Sequence, residues 1–418
     1  MSAFSSSIDN YAESGIRPPP VSKRGSTATL FGATSISPST IANYIDAAVA
    51  PHISSDLISP EAVSNIRHIA AWLPGALTDF FGFECRLGIS EPSADFLVCC
   101  RASHGGREVL NHERPERDLP VFFENHPVWQ RIRCFSAEWS NPQSPLFDRV
   151  YNMWLEFDVE GAPPSVPVPS AFIGPENLQP VEPAGESSEM PAQCTWLTDS
   201  ALPLLLGAEL DPASQRQIAR CLNFLPFGAR IFQVGLMLAR ASLITRLCVR
   251  GVSTTQIIEY LRALDYDTSD GQLRGLVNVL APLVERIDLD MDVADRVLPK
   301  IGLECYFAAD VAAIRQFLNH LVSCGLSTRA KAEALELWRG MAHERLSPEI
   351  WPRDLLTLSG FLGGRVHSVF ARWLHHVKIV YQPGLPLEAK AYLAVHHLWL
   401  APEQIKDLLK VAQARASE

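Results

Sequence analysis

The feature that most limits how this chain can fold is a two-residue period. It returns in paired runs, five times, with helical sequence between the pairs. The pairs are 81–89 with 95–102, 133–139 with 150–159, 230–238 with 245–251, 286–293 with 301–307, and 376–382 with 387–395. Each alternating run reads as a strand with one buried face. In RIDLDMDV, for example, Ile287, Leu289, Met291 and Val293 form one face and Asp288, Asp290 and Asp292 the other.

Between the pairs the period lengthens to that of a helix. Ser253 and Gln256 make a capping box at the head of 252–266, a second helix is predicted over 272–283, and two longer ones fill 309–339. Hairpins alternating with helices predict an α+β chain. Ten strands in one open, twisted sheet are near the practical limit, so closure is favoured. The expected fold is therefore a ten-stranded antiparallel β-barrel of five hairpins surrounded by α-helices. The apolar strand faces turn outward to the helices, and the polar faces line the lumen.

Two stretches lie outside the pattern. Residues 1–38, rich in Ser, Pro and Thr, read as a disordered tail. Residues 161–191 carry many prolines and read as a long loop within a single domain spanning 39–415. Across 418 residues, 47% hydrophobic and 20% charged side chains fit a globular protein with ample core, and no apolar run is long enough to span a membrane. No signal peptide opens the chain, so a cytoplasmic location is expected. The net charge of −10 excludes a general surface for nucleic acid or anionic membrane. The nine cysteines show no CxxC or Cys/His ligand spacing and read as core thiols.

Projection of the non-apolar faces gives a lumen rich in ionisable groups: Glu84, Arg86, Arg101, Glu138, Glu156, Asp158, Arg246, Arg250, the three aspartates 288, 290 and 292, Glu304, Tyr306, His376, Lys378, Lys390, Tyr392 and His396, with Ser136 and Trp154 among them. A packed core does not tolerate such a set, so the lumen must be wet or hold a polar ligand. The three aspartates read as a solvated strand face rather than a metal site, because side chains two apart on a strand lie about 7 Å apart. His375 and His376, adjacent on a strand, are expected to point to opposite faces. No metal site is expected, and no GxSxG, HExxH, GxGxxG or Walker signature is present.

With its hairpins and polar lumen the chain resembles the aromatic prenyltransferases of the ABBA or PT-barrel fold, especially the dimethylallyltryptophan-synthase branch, over roughly 40–415. The resemblance rests on Phe83 and Glu84 in the first strand and Arg101 in the second. It continues with Arg246, Cys248 and Arg250 where that family has Arg-x-Lys-x-Tyr, Glu304 and Tyr306 in the eighth strand, and Lys390 and Tyr392 in the tenth. The chain departs from the family at 150–159, read as the fourth strand, where Trp154, Glu156 and Asp158 replace Lys-x-Tyr. That acidity near a diphosphate calls for a divalent cation or a positively charged acceptor, or else for a barrel that no longer binds a prenyl diphosphate.

The resemblance implies transfer of a prenyl group from an allylic diphosphate to an aromatic acceptor, indole by default, or to a peptide side chain. Arg101, Arg246, Arg250, Lys378 and Lys390 would hold the diphosphate. Tyr306, Tyr392 and Trp154 would shield the allyl cation, and Glu84, or else Glu156, would take the acceptor's proton. No cofactor is required, with magnesium an optional companion of the donor. The alternatives are other natural-product maturation chemistry in the same barrel, or a non-catalytic binding protein for a cationic small molecule or peptide.

Overall fold

In the computed structural model, residues 38–405 are described, except 113–118, 121, 122, 124, 160, 162–164, 181–188, 241–243, 270 and 309. The N-terminal tail expected over 1–38 lies almost wholly outside them. Eleven strands are described: β1 (Phe80–Arg86), β2 (Ala94–Arg101), β3 (Val150–Phe157), β4 (Ser170–Pro175), β5 (Arg230–Leu236), β6 (Thr245–Arg250), β7 (Arg286–Val293), β8 (Val297–Tyr306), β9 (Gly340–His343), β10 (His367–Tyr381) and β11 (Glu388–Leu400). All pairings are antiparallel. Ten strands close into a ring in the order β1 to β8, then β10, β11 and back to β1. β10 pairs β8 through Val377–Tyr381 and carries the short β9 on its earlier residues, Val369 to Arg372.

Helices coat the ring, and nine of eight residues or more are described: α1 (Ile41–Ala48), α2 (Pro60–Ala70), α3 (Pro127–Ser140), α4 (Pro212–Asn223), α5 (Thr254–Ala263), α6 (Gln272–Leu280), α7 (Val311–Ser323), α8 (Arg329–Trp338) and α9 (Arg353–Phe361). The expected capping box opens α5, Ser253 accepting from the Gln256 amide while the Gln256 side chain accepts from the Ser253 amide. The main core lies between the outward strand faces and the helices. Phe81, Phe83, Phe96, Leu155, Phe157 and the outward face of β7 are all buried in it. Lys331 of α8, itself buried, ties the coat to the first hairpin by donating to the carbonyls of Arg86 (2.6 Å) and Glu91 (2.9 Å).

One hairpin differs from expectation. Residues 133–139 are not a strand but the second half of α3. Pro127 stands at the first helical turn, and Val128, Trp129, Ile132, Phe135, Ser136 and Trp139 are buried at helical spacing. The alternation of RCFSAEW is a short slice of this longer period. Ser136 and Glu138 are consequently helix residues and not part of the lumen wall.

The partner of β3 is β4, from inside the proline-rich stretch expected to be a loop. Its six residues, SAFIGP, are all buried, and its one proline is the terminal residue. A strand can tolerate proline there because the ladder no longer needs an N–H. β3, read as the fourth strand, is thus the third.

Candidate active site

Around the ring the lumen face is taken by alternate residues, and the registers sort them into two ends. Phe80, Arg101, Arg250, Tyr306 and His396 lie toward one end, while Glu84, Glu156, Arg246, Asp292, Lys378 and Lys390 lie toward the other. A cavity with an empty volume of about 1120 Å³, solvent at its opening included, runs from Phe80, Arg101, Arg250 and Tyr306 as far as Glu156, Arg246 and Lys378. Aromatic rings from several strands wall it: Phe80, Trp154, Phe172, Phe232, Tyr306 and Tyr392. Phe80 meets Trp154 edge-on at 5.1 Å and stacks on Trp373 at 5.8 Å. Two glycines make the inner packing feasible. A Cβ on Gly235 would fall 2.2 Å from the Phe172 ring, and one on Gly302 would fall 2.9 Å from Cβ of Asp290.

Beyond Glu156, Arg246 and Lys378 the lumen is filled by ion pairs. Lys390 Nζ donates to Glu84 at 2.5 Å, and the Tyr392 hydroxyl donates to the other Glu84 oxygen. Lys378 lies 2.6 Å from Asp290 and 3.5 Å from Glu304. Arg246 is held by Asp292 through Nε (2.7 Å) and Nη2 (3.1 Å). The opposite end repeats the scheme. Arg101 donates Nε (3.0 Å) and Nη2 to Asp79, and Asp288 sits between Arg250 (2.8 Å) and Arg286 (3.0 Å).

The aspartates of β7 are therefore not a solvated face. Asp288 and Asp290 are buried, and each of the three has its own cation. Among the described residues no group of three or more His, Cys, Asp and Glu is placed to hold a metal ion.

The buried charges shift one another. Burial favours the neutral form of Glu84, but Lys390 and Lys378, with the Lys390 and Tyr392 hydrogen bonds, hold it ionised and bring it down to about 2. Glu156 goes the other way. Burial, then the Glu84 charge, pushes it up to about 7 against the pull of Arg246 and Lys378. Burial and Glu84 likewise push Asp95 up to about 6. Burial alone would lower Lys378, but Asp290, Tyr392 and Glu304 raise it well above the usual lysine range.

Of the residues singled out from the sequence, Arg101, Trp154, Glu156, Arg246, Arg250, Tyr306, Lys378 and Tyr392 line this one cavity. Glu84 and Lys390 do not line it, being committed to each other behind Tyr392. Several wall residues were not found from the sequence, Phe172, Phe232 and His375 among them. Phe172 belongs to the strand hidden in the proline-rich stretch. Phe232 and His375 both sit at register shifts, between Ile231 and Gln233 and between Leu374 and His376, where the two-residue alternation breaks. The second shift turns His375 and His376 to the same side, so they do not face opposite ways. Both line the cavity, with their Nδ1 atoms 2.7 Å apart.

Neither a protein-family model nor a curated protein sequence matches the chain. Among solved structures it is similar to 5-dimethylallyltryptophan synthase from Streptomyces coelicolor (14% identity, 80% of this chain and 92% of that one, TM-score 0.40). It is also similar to the prenyltransferase PriB (12%, 80% and 90%, 0.44) and to AnaPT from Neosartorya fischeri (11%, 75% and 76%, 0.37). The barrel itself rests on this chain's own strand pairings. Among the described residues no helix is long and apolar enough to cross a membrane.

Proposed function

We propose that the barrel transfers a prenyl group from an allylic diphosphate to an aromatic acceptor. The observation that supports this most is the convergence of Arg101, Arg246, Arg250 and Lys378, from three strands, on one aromatic-walled cavity that also holds Glu156. Ionising an allylic diphosphate needs guanidinium and ammonium donors for the leaving group. Asp292 takes one edge of the Arg246 fork, leaving Nη1 as the edge for a phosphate oxygen. Lys378 supplies a point charge beside it. The allyl cation would lie among Tyr392, Tyr306, Trp154 and Phe172, whose faces stabilise positive charge and exclude water.

The acceptor's N–H or O–H proton goes to Glu156 in this scheme. Glu84 is poorly placed for it, since both its oxygens are engaged and its pKa lies near 2. Glu156 lines the cavity at about 7, close to the optimum for a general base near neutral pH. Incubation with dimethylallyl or geranyl diphosphate and a panel of indoles and phenols should release pyrophosphate with a matching mass gain on the acceptor. Calorimetry that detects no binding of either donor, with and without magnesium, overturns the reading.

A second reading draws on the pairing of every cavity cation with a carboxylate. A lumen so balanced also suits a neutral or cationic ligand held without reaction. The double variant Arg246→Met with Asp292→Leu separates the two. It keeps the charge balance while removing a phosphate donor, so donor affinity falls under the first reading and ligand uptake persists under the second.

A further inference from the structure

We propose that His375 is the base that removes the ring-carbon proton of the acceptor, with His376 and Glu304 as positioning residues that fix its tautomer; this rests on the alkyl-transfer reading above. The register shift between Leu374 and His376 brings two consecutive imidazoles into the cavity wall. Their Nδ1 atoms are 2.7 Å apart, a hydrogen bond that requires one N–H and one bare nitrogen. Glu304 decides which is which. Its Oε1 stands 3.5 Å from His376 Nε2, while its Oε2 accepts the Tyr306 hydroxyl at 2.8 Å. A lone pair on Nε2 would face the carboxylate unfavourably, whereas an N–H is attracted to it. His376 thus carries its proton on Nε2 and accepts at Nδ1. His375 donates from Nδ1, and its Nε2 is left as a bare base.

The surroundings keep the pair neutral and in place. Burial lowers both rings well below the usual histidine range. His376 itself, Arg250 and Arg286 add to the effect on His375, and Lys378 does so on His376, against opposing pulls from Asp290 and Glu84. Tyr306 meets His375 edge-on at 5.6 Å, Phe80 lies 6.2 Å away, and Tyr392 stacks on His376 at 4.1 Å. His376 Nε2 is buried and makes no full hydrogen bond in this state. It can therefore draw closer to Glu304 when positive charge develops at His375.

In the step itself, the diphosphate has already left with the electron pair of the broken C–O bond, and the acceptor carbon has bonded to the allyl cation. The C–H pair then returns to the ring as Glu156 hands the N–H or O–H proton back to the acceptor, and the carbon proton goes to His375 Nε2, so that one proton is lost overall. The resulting imidazolium is stabilised by His376 Nδ1 and the carboxylate behind it, and the proton later passes to solvent.

Nitrogen-detected NMR on the ligand-free protein tests the arrangement without any chemistry. His375 should show the Nδ1–H tautomer and His376 the Nε2–H tautomer, both neutral at pH 6 to 8. The opposite tautomers, or a protonated ring, overturn the proposal. With an active donor and acceptor pair, His375→Ala should slow carbon alkylation about 10²- to 10⁴-fold. It should also unmask a primary isotope effect with acceptor deuterated at the reacting carbon, and added imidazole should partly restore the rate. Glu304→Gln should slow the same step less. Wild-type rate in His375→Ala without an isotope effect overturns the base while leaving prenyl transfer intact. The expected tautomers without any transfer instead overturn the alkyl-transfer reading and, with it, the role of His375.

Discussion

Glu84 and Glu156 show how two carboxylates in one lumen come to differ. The first is tied to Lys390 and Tyr392, while burial, and then the fixed charge of Glu84, raises the second to about 7. Because Glu156 is raised in the folded chain, folding favours its protonated form. Its contribution to stability is full below the ordinary glutamate range and is lost as pH climbs through about 7. Glu156→Gln should remove a pH-dependent loss of about 1 to 3 kcal/mol, read by urea denaturation at pH 5 and pH 8. Under the proposed chemistry, the same substitution should also flatten the rise of turnover through about pH 7. Glu84 has the reverse sign, its stabilising charge being lost only as pH falls through about 2. Lys390→Met leaves that charge buried without its ammonium partner and should cost about 3 to 5 kcal/mol in the same assay, with much of the loss recovered by adding Glu84→Leu.

At the scale of elements, two glycines give opposite expectations. Gly235→Ala in β5 would drive a methyl into the Phe172 ring of β4, and should destabilise by about 1 to 3 kcal/mol while disturbing the cavity wall. Gly275→Ala lies inside α6 with nothing within 4 Å, and should raise stability by about 0.5 to 1 kcal/mol. Thermal unfolding of the two variants checks both signs.

Elements also explain what could be read from the sequence. β7 was legible because its four apolar and three acidic side chains alternate without interruption. β4 was not, because SAFIGP, buried along its whole length and set among prolines, carries no two-residue period. The slice 133–139 misled because three apolar residues of α3 happen to fall at every second place. Cavity residues on regular strands, such as Arg101 and Tyr306, could be projected onto the lumen. Phe232 and His375 could not, since a register shift depends on the paired strand and not on local composition.

On the scale of the whole molecule, the ring is shut by pairing near-terminal strands, β1 along seven residues of β11. No strand of the ring can leave without exposing two open edges, so the barrel should unfold as a unit. Tryptophan fluorescence and far-ultraviolet circular dichroism should then give coincident denaturation curves, and separated midpoints would contradict this. The interior so enclosed has one further property. Its cations arrive already matched by acids, so a diphosphate that enters leaves the barrel with a surplus of negative charge. The surplus is relieved most readily by a proton taken up from the medium at Glu156, and this ties occupancy to acidity. Under the proposed chemistry, donor affinity should weaken as the solution becomes more alkaline, while turnover, for which Glu156 would be ionised, should strengthen. In that scheme the two trends cross, and the working pH of the barrel becomes a compromise between filling and reacting.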